Sequence, residues 1–206
     1  MADVRVVLFD VGGVLLSNGW DRRQRLKASE HFAIDSDELR ERHDLVSAHF
    51  ETGQLTLDEY LQRTVFHRAR DFTPDDFFEF MKAQSEPYPE SLALLAGLAE
   101  SGKYLLATLN NESRALNDYR IETFGLRDYF SVFLSSCYLG VRKPELRIFE
   151  LARDIVHVRP DQCLFIEDRL LNVECAELAG ITSILFQDVT QLRSALADHG
   201  VETPPV

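Results

Sequence analysis

The sequence has 206 residues, of which 45% are hydrophobic and 27% are charged, as is typical of a globular protein with a sizeable core. Its net charge of −12 argues against nucleic acid or an anionic membrane as the main partner, because both need a basic surface. No segment approaches the roughly 20 apolar residues that span a bilayer. Asp10 interrupts the N-terminal apolar run, which argues against a signal peptide. The three cysteines lack Cys-x-x-Cys spacing, which fits a reducing compartment. We therefore expect a cytoplasmic protein.

The first strand is predicted near the N-terminus, where Val6–Phe9 form a short apolar run before Asp10. Such a run is typical of a parallel strand that is buried on both faces. Asp10, Gly12 and Gly13 then follow its carboxyl end, where open α/β sheets bind ligands. Asp before glycine is also common turn chemistry, so the ends of the later strands decide between a ligand site and a turn.

A helical segment is predicted over residues 17–85. Four helical patterns follow one another in it, at residues 21–32, 36–50, 56–68 and 73–83. Ser36, Thr56 and Thr73 stand where helix N-caps are expected. The histidines of this segment lack the i, i+4 spacing of zinc-binding helices, which favours solvent-exposed or boundary positions; they are His31, His43, His49 and His67. The pattern predicts a small helical domain with its own core.

Strands and helices alternate through the rest of the chain. Further strands are predicted at residues 103–109, 132–135, 162–166 and 182–186. Further helices are predicted at residues 89–101, 112–124, 144–156, 172–179 and 189–199. This alternation predicts a parallel sheet that is covered by helices on both faces. The predicted fold class is α/β, with a Rossmann-like core of residues 1–16 and 86–206 and an inserted α-helical cap of residues 17–85.

Polar residues at the ends of three further predicted strands form a set with Asp10. They are Thr108 and Asn110 after the second strand, Lys143 after the third, and Glu167 with Asp168 after the fourth. Mg²⁺ prefers such carboxylate oxygens, and a lysine offsets the charge that develops on a phosphoryl group. One carboxylate is then free to attack as a nucleophile. The set therefore predicts Mg²⁺-assisted phosphoryl transfer.

The motifs around these residues resemble those of the haloacid dehalogenase (HAD) superfamily of hydrolases, in the subclass with a helical cap inserted after the first motif. The resemblance rests on residues 9–15, on the Lys143-Pro144 pair, and on Glu167-Asp168 followed by Asn172. It implies an Mg²⁺-dependent phosphatase that forms an aspartyl-phosphate, similar to sugar-phosphate phosphatases such as alpha-glucose-1-phosphate phosphatase. The implied substrate is a small phosphate ester, and the implied assembly is a monomer or a homodimer.

The resemblance also implies roles for individual residues. Asp10 would be the nucleophile, and Lys143 would steady both the nucleophile and the phosphate. The implied metal ligands are Asp10, the backbone carbonyl of Gly12, Asp168 and Glu167, the last directly or through water. The implied phosphate-binding residues are Thr108, Leu109, Asn110 and Lys143.

The sequence departs from the family pattern at two positions. Gly12 stands where most phosphatases of the superfamily have a second Asp that serves as general acid and base. The second motif normally has Ser or Thr directly before Asn110, whereas this chain has Leu109 there and Thr108 one place earlier. Either Thr108 fills the role in a shifted register, or Leu109 occupies the position and the hydroxyl is missing.

These departures leave two alternatives to a phosphatase. A catalytically weak relative that acts as a binding or regulatory protein would explain both of them. A haloacid dehalogenase also lacks the second Asp, but it does not need the retained acid pair. In the helical segment, Trp20 is expected to anchor the helical core or to line the pocket, and three arginines are candidates to meet an anionic substrate. They are Arg22, Arg23 and Arg114.

Overall fold

A single parallel sheet organises the chain in the computed structural model, which describes residues 3–203. Its strands are β1 (Val6–Phe9), β2 (Leu105–Asn110), β3 (Val132–Ser135), β4 (Cys163–Glu167) and β5 (Thr182–Leu185). Their order across the sheet is β3-β2-β1-β4-β5, and every pairing is parallel. The predicted α/β fold with a Rossmann-like sheet is therefore confirmed. β1 is the central strand, between β2 and β4.

Ten α-helices surround or extend this sheet within the described residues. The first four lie between β1 and β2, in the predicted insertion: α1 (Arg22–His31), α2 (Ser36–Glu51), α3 (Leu57–Thr64) and α4 (Pro74–Ala83). The others are α5 (Pro89–Ser101), α6 (Arg114–Thr123), α7 (Ser136–Leu139), α8 (Leu146–Val156), α9 (Leu170–Leu178) and α10 (Val189–Asp198). The division into two domains stays a prediction, and its outermost residues lie beyond the described range.

Side-chain caps define the starts of the inserted helices. Thr56 and Thr73 form capping boxes, each with the acidic residue three positions on, at the predicted places. At α2 the predicted cap was wrong: the side chain of Asp35, not that of Ser36, accepts the bonds from the first turn. Asp35 has the extended backbone that an N-cap needs, and its carboxylate accepts from two backbone N–H groups at once.

Pro144 does not begin the helix predicted at residues 144–156. It lies in a turn closed by a hydrogen bond from the backbone N–H of Glu145 to the carbonyl of Arg142 (3.0 Å), and α8 begins at Leu146. The consequence is that Lys143 belongs to a loop at the carboxyl edge of the sheet rather than to a helix.

Two apolar clusters cover the two faces of the sheet. Val7 and Phe9 of β1 belong to one cluster, and Val6 and Leu8 belong to the other. This division follows from the alternation of side chains along a strand. All four residues are almost completely buried, as predicted for a parallel strand covered on both faces.

The inserted helices form a third apolar cluster of their own. Trp20 belongs to it, packs edge-on against Phe77 and donates its indole N–H to the hydroxyl of Tyr60 (2.8 Å). His43 is also buried here, so its predicted solvent-exposed or boundary position was wrong. Its Nδ1 lies 2.9 Å from the Tyr60 hydroxyl, which satisfies a ring nitrogen that would otherwise need water.

No helix within residues 3–203 is long and apolar enough to cross a membrane. The cytoplasmic localisation and the oligomeric state stay predictions.

Candidate active site

Asp10 lies directly after β1, at the carboxyl edge of the central strand. Its backbone N–H donates to the carbonyl of Ile166 in β4 (2.9 Å), and its Oδ1 accepts from the N–H of Val11 (2.8 Å). The residue is 7% exposed. The chain runs from β1 to β2 and β3 on one side and then crosses to β4 on the other, which is where α/β sheets open a ligand crevice.

Lys143 joins Asp10 to Glu167. Its Nζ lies 3.1 Å from Asp10 Oδ1 and 2.5 Å from Glu167 Oε2, and the lysine is 2% exposed. Asn111 holds the lysine backbone from both sides: its Nδ2 donates to the Lys143 carbonyl, and its Oδ1 accepts from the Lys143 N–H, each at 2.8 Å. The loop after β2 thereby fixes the position of the loop after β3.

Asp168 follows Glu167 and lies against Gly13. A Cβ built on Gly13 would come within 2.1 Å of Asp168 Oδ2, and Gly13 has a φ of +84°. Glycine is therefore needed there both for the backbone conformation and for the approach of the carboxylate. Oδ2 of Asp168 accepts from Asn18 Nδ2 at 3.5 Å, whereas its Oδ1 is buried without a hydrogen-bond partner in the described chain. We call Asp10, Lys143, Glu167 and Asp168 the floor.

Burial and neighbouring charges shift the pKa values of the floor acids in different directions. Burial raises the pKa of Asp10 well above its usual range; Glu167 and Asp168 add to this, and Lys143 opposes it. Burial, with a contribution from Glu167, raises the pKa of Asp168 to about 6. Burial also acts to raise the pKa of Glu167, but Lys143 outweighs it and the pKa is lowered. Lys143 is thus the shared counter-ion of Glu167 and Asp10, and one cation faces three acids on the floor.

The floor suits a hard divalent cation. Asp10, Glu167 and Asp168 each offer one carboxylate oxygen, and these atoms lie within 4.8 Å of one another. Oxygen ligands of this kind suit Mg²⁺, and a bound cation would relieve the repulsion that raises two of the pKa values. The unpartnered Asp168 Oδ1 is the orphaned polar atom that such an ion would satisfy. Both Glu167 oxygens are already engaged, by Lys143 and by the N–H of Arg169 (3.1 Å).

The strand register separates Thr108 from Asp10. Thr108 pairs with Phe9, so it lies on the face of β2 opposite to the side chain of Asp10. Its hydroxyl is buried without a hydrogen-bond partner in the described chain. Leu109 shares the Asp10 face and packs in the cluster that contains Leu8. The register therefore favours Leu109 at the second-motif position, which leaves no hydroxyl there.

Asn110 supports the end of β2. Its Nδ2 donates to Asn117 Oδ1 (3.0 Å), and its Oδ1 accepts from the Ser135 hydroxyl (2.9 Å). Both ends of its side chain are therefore occupied within the fold. The phosphate-binding roles of Thr108, Leu109 and Asn110 stay predictions, and any contact from Asn110 would come from its backbone.

A buried guanidinium lies beside Gly12. A Cβ built on Gly12 would be 3.7 Å from Arg120 Nη1 and 3.3 Å from Asn18 Oδ1. Arg120 Nη1 lies 3.5 Å from Glu112 Oε2, and burial raises the pKa of Glu112. The same arginine donates to the carbonyl of Ser17 (2.7 Å), at the start of the insertion. The space beside Gly12 therefore borders a cation.

Arg25 and His43 of the inserted helices line a cavity together with Asp10 and Lys143, and Tyr60 supports His43 without lining that cavity; we call Arg25, His43 and Tyr60 the roof. Arg25 donates from Nη1 to the carbonyl of Trp20 (2.8 Å), and Tyr60 links Trp20 to His43. Burial, with smaller contributions from Arg25 and Arg142, lowers the pKa of His43 to about 3. The ring is therefore neutral at physiological pH.

The cavity has a volume of about 420 Å³. Its lining includes six cationic side chains: Arg22, Arg25, Arg120, Arg142, Lys143 and Arg169. It includes four carboxylates: Asp10, Asp21, Glu51 and Glu112. Trp20 also lines it, so this residue both anchors the helical core and reaches the pocket. Of the three arginines predicted to meet an anion, Arg22 lines the cavity, and Arg23 and Arg114 do not.

Several residues of this cavity were missed by sequence reasoning. Glu112 and Arg120 stand in or after the loop that follows β2, and Asn111 was expected there only as an amide at the end of the strand. Arg25 and His43 belong to helices whose charged residues look like ordinary surface positions. The one available signal was the position of Asn111 and Glu112 at the end of a strand that borders β1.

Comparison with protein families gives one match over most of the chain. Residues 4–180 match the family described as haloacid dehalogenase-like hydrolase. Flavin mononucleotide hydrolase 1 of Arabidopsis thaliana is 28% identical over 203 residues, which cover 95% of this chain and 78% of that protein.

Solved structures share the fold. A HAD family enzyme from Bacteroides thetaiotaomicron, in complex with magnesium and inorganic phosphate, aligns with a TM-score of 0.77 at 21% identity over 92% of this chain and 98% of that one. The L-2-haloacid dehalogenase PA0810 aligns with a TM-score of 0.62 at 20% identity over 87% of this chain and 83% of that one.

Proposed function

Because the chain belongs to the haloacid dehalogenase-like hydrolase family, we propose that it is an Mg²⁺-dependent phosphatase that acts on a small phosphorylated metabolite through an aspartyl-phosphate. One observation carries this proposal: Asp10, Glu167 and Asp168 form an acidic cluster beside a single buried cation, Lys143. One Asp168 oxygen in this cluster has no hydrogen-bond partner in the described chain. A relative named as an FMN hydrolase and a fold neighbour solved with magnesium and phosphate support it.

The chain's residues would divide the reaction between them. A carboxylate oxygen of Asp10 attacks phosphorus, the ester P–O bond breaks with its electron pair on the leaving oxygen, and water later hydrolyses the aspartyl-phosphate. Lys143 holds the nucleophile and faces the phosphoryl oxygens. When bound, Mg²⁺ would be held by Asp10 and Asp168, with the Gly12 carbonyl and Glu167 as further predicted ligands, and it would offset phosphoryl charge.

Gly12 determines which esters should react well. It has no side chain to protonate the leaving oxygen, and a positioned acid is worth about 10²- to 10⁴-fold in rate. The enzyme should therefore prefer leaving groups that need little protonation, such as those of aryl, acyl and anomeric sugar phosphates.

Two other functions fit the floor less well. A weak binding or regulatory protein would not need the tight lysine bridge between Asp10 and Glu167, since that bridge buries three charges. A haloacid dehalogenase would not need Asp168 with a free oxygen. The floor therefore favours the phosphatase over both.

The test is release of inorganic phosphate from 4-nitrophenyl phosphate, acetyl phosphate, glucose 1-phosphate, glycerol 3-phosphate and FMN, with Mg²⁺ and with EDTA. The expected result is metal-dependent release, fastest for the aryl, acyl and anomeric esters. Asp10→Asn should lower turnover by at least about 10³-fold, because it removes the nucleophile.

Asp161→Asn is the matched control, since Asp161 is exposed and pairs with Arg159 on the surface. It should keep wild-type turnover. Silence of the folded wild-type protein across the panel would contradict the proposal. Equal turnover of glycerol 3-phosphate and 4-nitrophenyl phosphate would contradict the role given to Gly12.

A further inference from the structure

The cavity holds two cations that form no direct ion pair within the described range 3–203, in a chain whose net charge is −12. Four of its six cations have acidic partners: Lys143 with Asp10 and Glu167, Arg120 with Glu112, Arg142 with Glu51, and Arg169 with Asp21. Arg22 and Arg25 make no ion pair with any residue of that range. Two cations of this pocket therefore have no carboxylate of the described chain in direct contact, although Asp21, Asp44 and Glu51 act on Arg25 from a greater distance.

Arg25 is the better placed of these two arginines. It is half-buried, and its Nη1 is anchored on the Trp20 carbonyl at 2.8 Å, whereas Arg22 is exposed. Burial lowers the pKa of Arg25, but a guanidinium remains charged at any physiological pH. A partly desolvated cation without an anionic partner costs stability. That cost is explained if the partner is a ligand.

His43 presents a hydrogen-bond donor beside this arginine. The indole N–H of Trp20 can only donate, so the Tyr60 oxygen accepts it. The arrangement that satisfies every group then has the Tyr60 hydroxyl donate to His43 Nδ1, which puts the ring proton on Nε2. His43 lines the cavity, and because Nδ1 is engaged, Nε2–H is the ring atom left for a ligand.

We propose that Arg25 and the Nε2–H of His43 bind a second anionic group of the substrate at the roof, while the ester phosphate meets the floor. This inference rests on the proposed phosphatase function and names its substrate class: phosphate esters that carry a carboxylate or a second phosphate. The cavity of about 420 Å³ is large enough for a small metabolite that spans both ends. A guanidinium recognises either anion through paired N–H donors.

The test compares substrates that differ only in the second anion. One pair is 3-phosphoglycerate and glycerol 3-phosphate, which differ by a carboxylate; the other is glucose 1,6-bisphosphate and glucose 1-phosphate, which differ by a phosphate. The readout is the ratio of kcat/KM within each pair. Wild-type protein should favour the member with the second anion by about tenfold to a hundredfold in at least one pair, the strength of a charge-assisted hydrogen bond.

Variants assign that preference to Arg25. Arg25→Gln should bring the ratio close to one, and Arg25→Lys should restore part of it because the charge is kept. Arg147→Gln removes the same charge from the exposed surface of α8, where Arg147 pairs with Glu150 and does not line the cavity, and should keep the wild-type ratio. Thermal melting confirms that each variant folds.

Three results would overturn the inference. They are a wild-type ratio near one in both pairs, a ratio that Arg25→Gln leaves unchanged, and an equal loss for both members of a pair, which would place Arg25 on the ester phosphate instead. If the wild-type protein releases no phosphate at all, the phosphatase proposal fails separately. In that case the dissociation constants of the same compounds are measured by calorimetry and compared within each pair. Loss of the preference in Arg25→Gln would still support the roof site.

Discussion

Burial shifts pKa values in opposite directions at the floor and at the roof of the cavity. On the floor, burial and neighbouring carboxylates raise the pKa values of Asp10 and Asp168. On the roof, burial and neighbouring arginines lower the pKa of His43 to about 3. Excess negative charge favours a proton or a metal cation at one end, and excess positive charge favours an anion at the other. We therefore expect a single cavity to bind a cation at one end and an anion at the other.

The floor should depend most strongly on Lys143. Lys143→Met leaves Asp10 and Glu167 buried without their shared cation, and breaking such a pair typically costs about 3–5 kcal/mol. We expect a loss of that size in the free energy of unfolding without metal, measured in urea, and a fall in kcat of at least about 10²-fold. Lys103→Met is the control, because Lys103 pairs with Glu202 on the surface. Equal losses in the two variants would show that the floor does not depend on this charge.

Restoring an acid at position 12 should alter the leaving-group preference. In Gly12→Asp the new Cβ meets the flexible Asn18 side chain at 3.3 Å and Arg120 Nη1 at 3.7 Å, so it fits after a small shift. We expect turnover of glycerol 3-phosphate to rise by about tenfold to 10²-fold relative to 4-nitrophenyl phosphate. Gly12→Asn, which has the same shape but cannot donate an acidic proton, serves as the control. A similar gain in both variants would argue against acid catalysis.

The two ends should give opposite pH dependences of stability in EDTA. The folded-state pKa of Asp168 is about 6 against an ordinary 3.8, so the folded state binds the extra proton between these values. Its contribution to stability therefore falls as pH rises through that window. The folded-state pKa of His43 is about 3 against 6.5, so the unfolded state binds the proton, and its contribution rises with pH.

Urea unfolding between pH 4 and pH 7 checks these signs. Where the pKa of a group differs by one between the folded and unfolded states, the free energy of unfolding changes by about 1.4 kcal/mol across the titration. The stability of Asp168→Asn relative to wild type should increase with pH, whereas that of His43→Gln should decrease. If the stability of each variant relative to wild type did not change with pH, or changed in the same direction for both variants, the proposed contrast between floor and roof would be wrong.

The sequence could predict the floor because each of its residues directly follows a strand or lies in the loop after one. The apolar run Val6–Phe9 locates Asp10, and the runs before Asn110 and Glu167 are equally clear. Parallel strands bring such carboxyl ends together whatever the loops do. The family motifs then supplied roles that spacing alone would not have given.

The roof could not be predicted from the sequence because no local pattern indicates it. Arg25, His43 and Tyr60 come from three different helices, and their meeting depends on how those helices pack. His43 was expected at the surface because it lacks a metal-binding partner in sequence, yet a tyrosine hydroxyl 17 positions away satisfies it. The face on which Thr108 lies likewise depended on strand register, which a one-residue slip reverses.

Arg120 connects both ends of the inserted segment to the surroundings of Gly12. One guanidinium donates to the Ser17 carbonyl at the start of the insertion and to the Ser85 hydroxyl at its end, while its third nitrogen faces Glu112 beside Gly12. Both connecting segments are thus fastened to α6 by the same side chain. A movement of the inserted helices relative to α6 would have to stretch or break these two hydrogen bonds. Arg120 therefore connects the position of the inserted helices to the surroundings of Gly12.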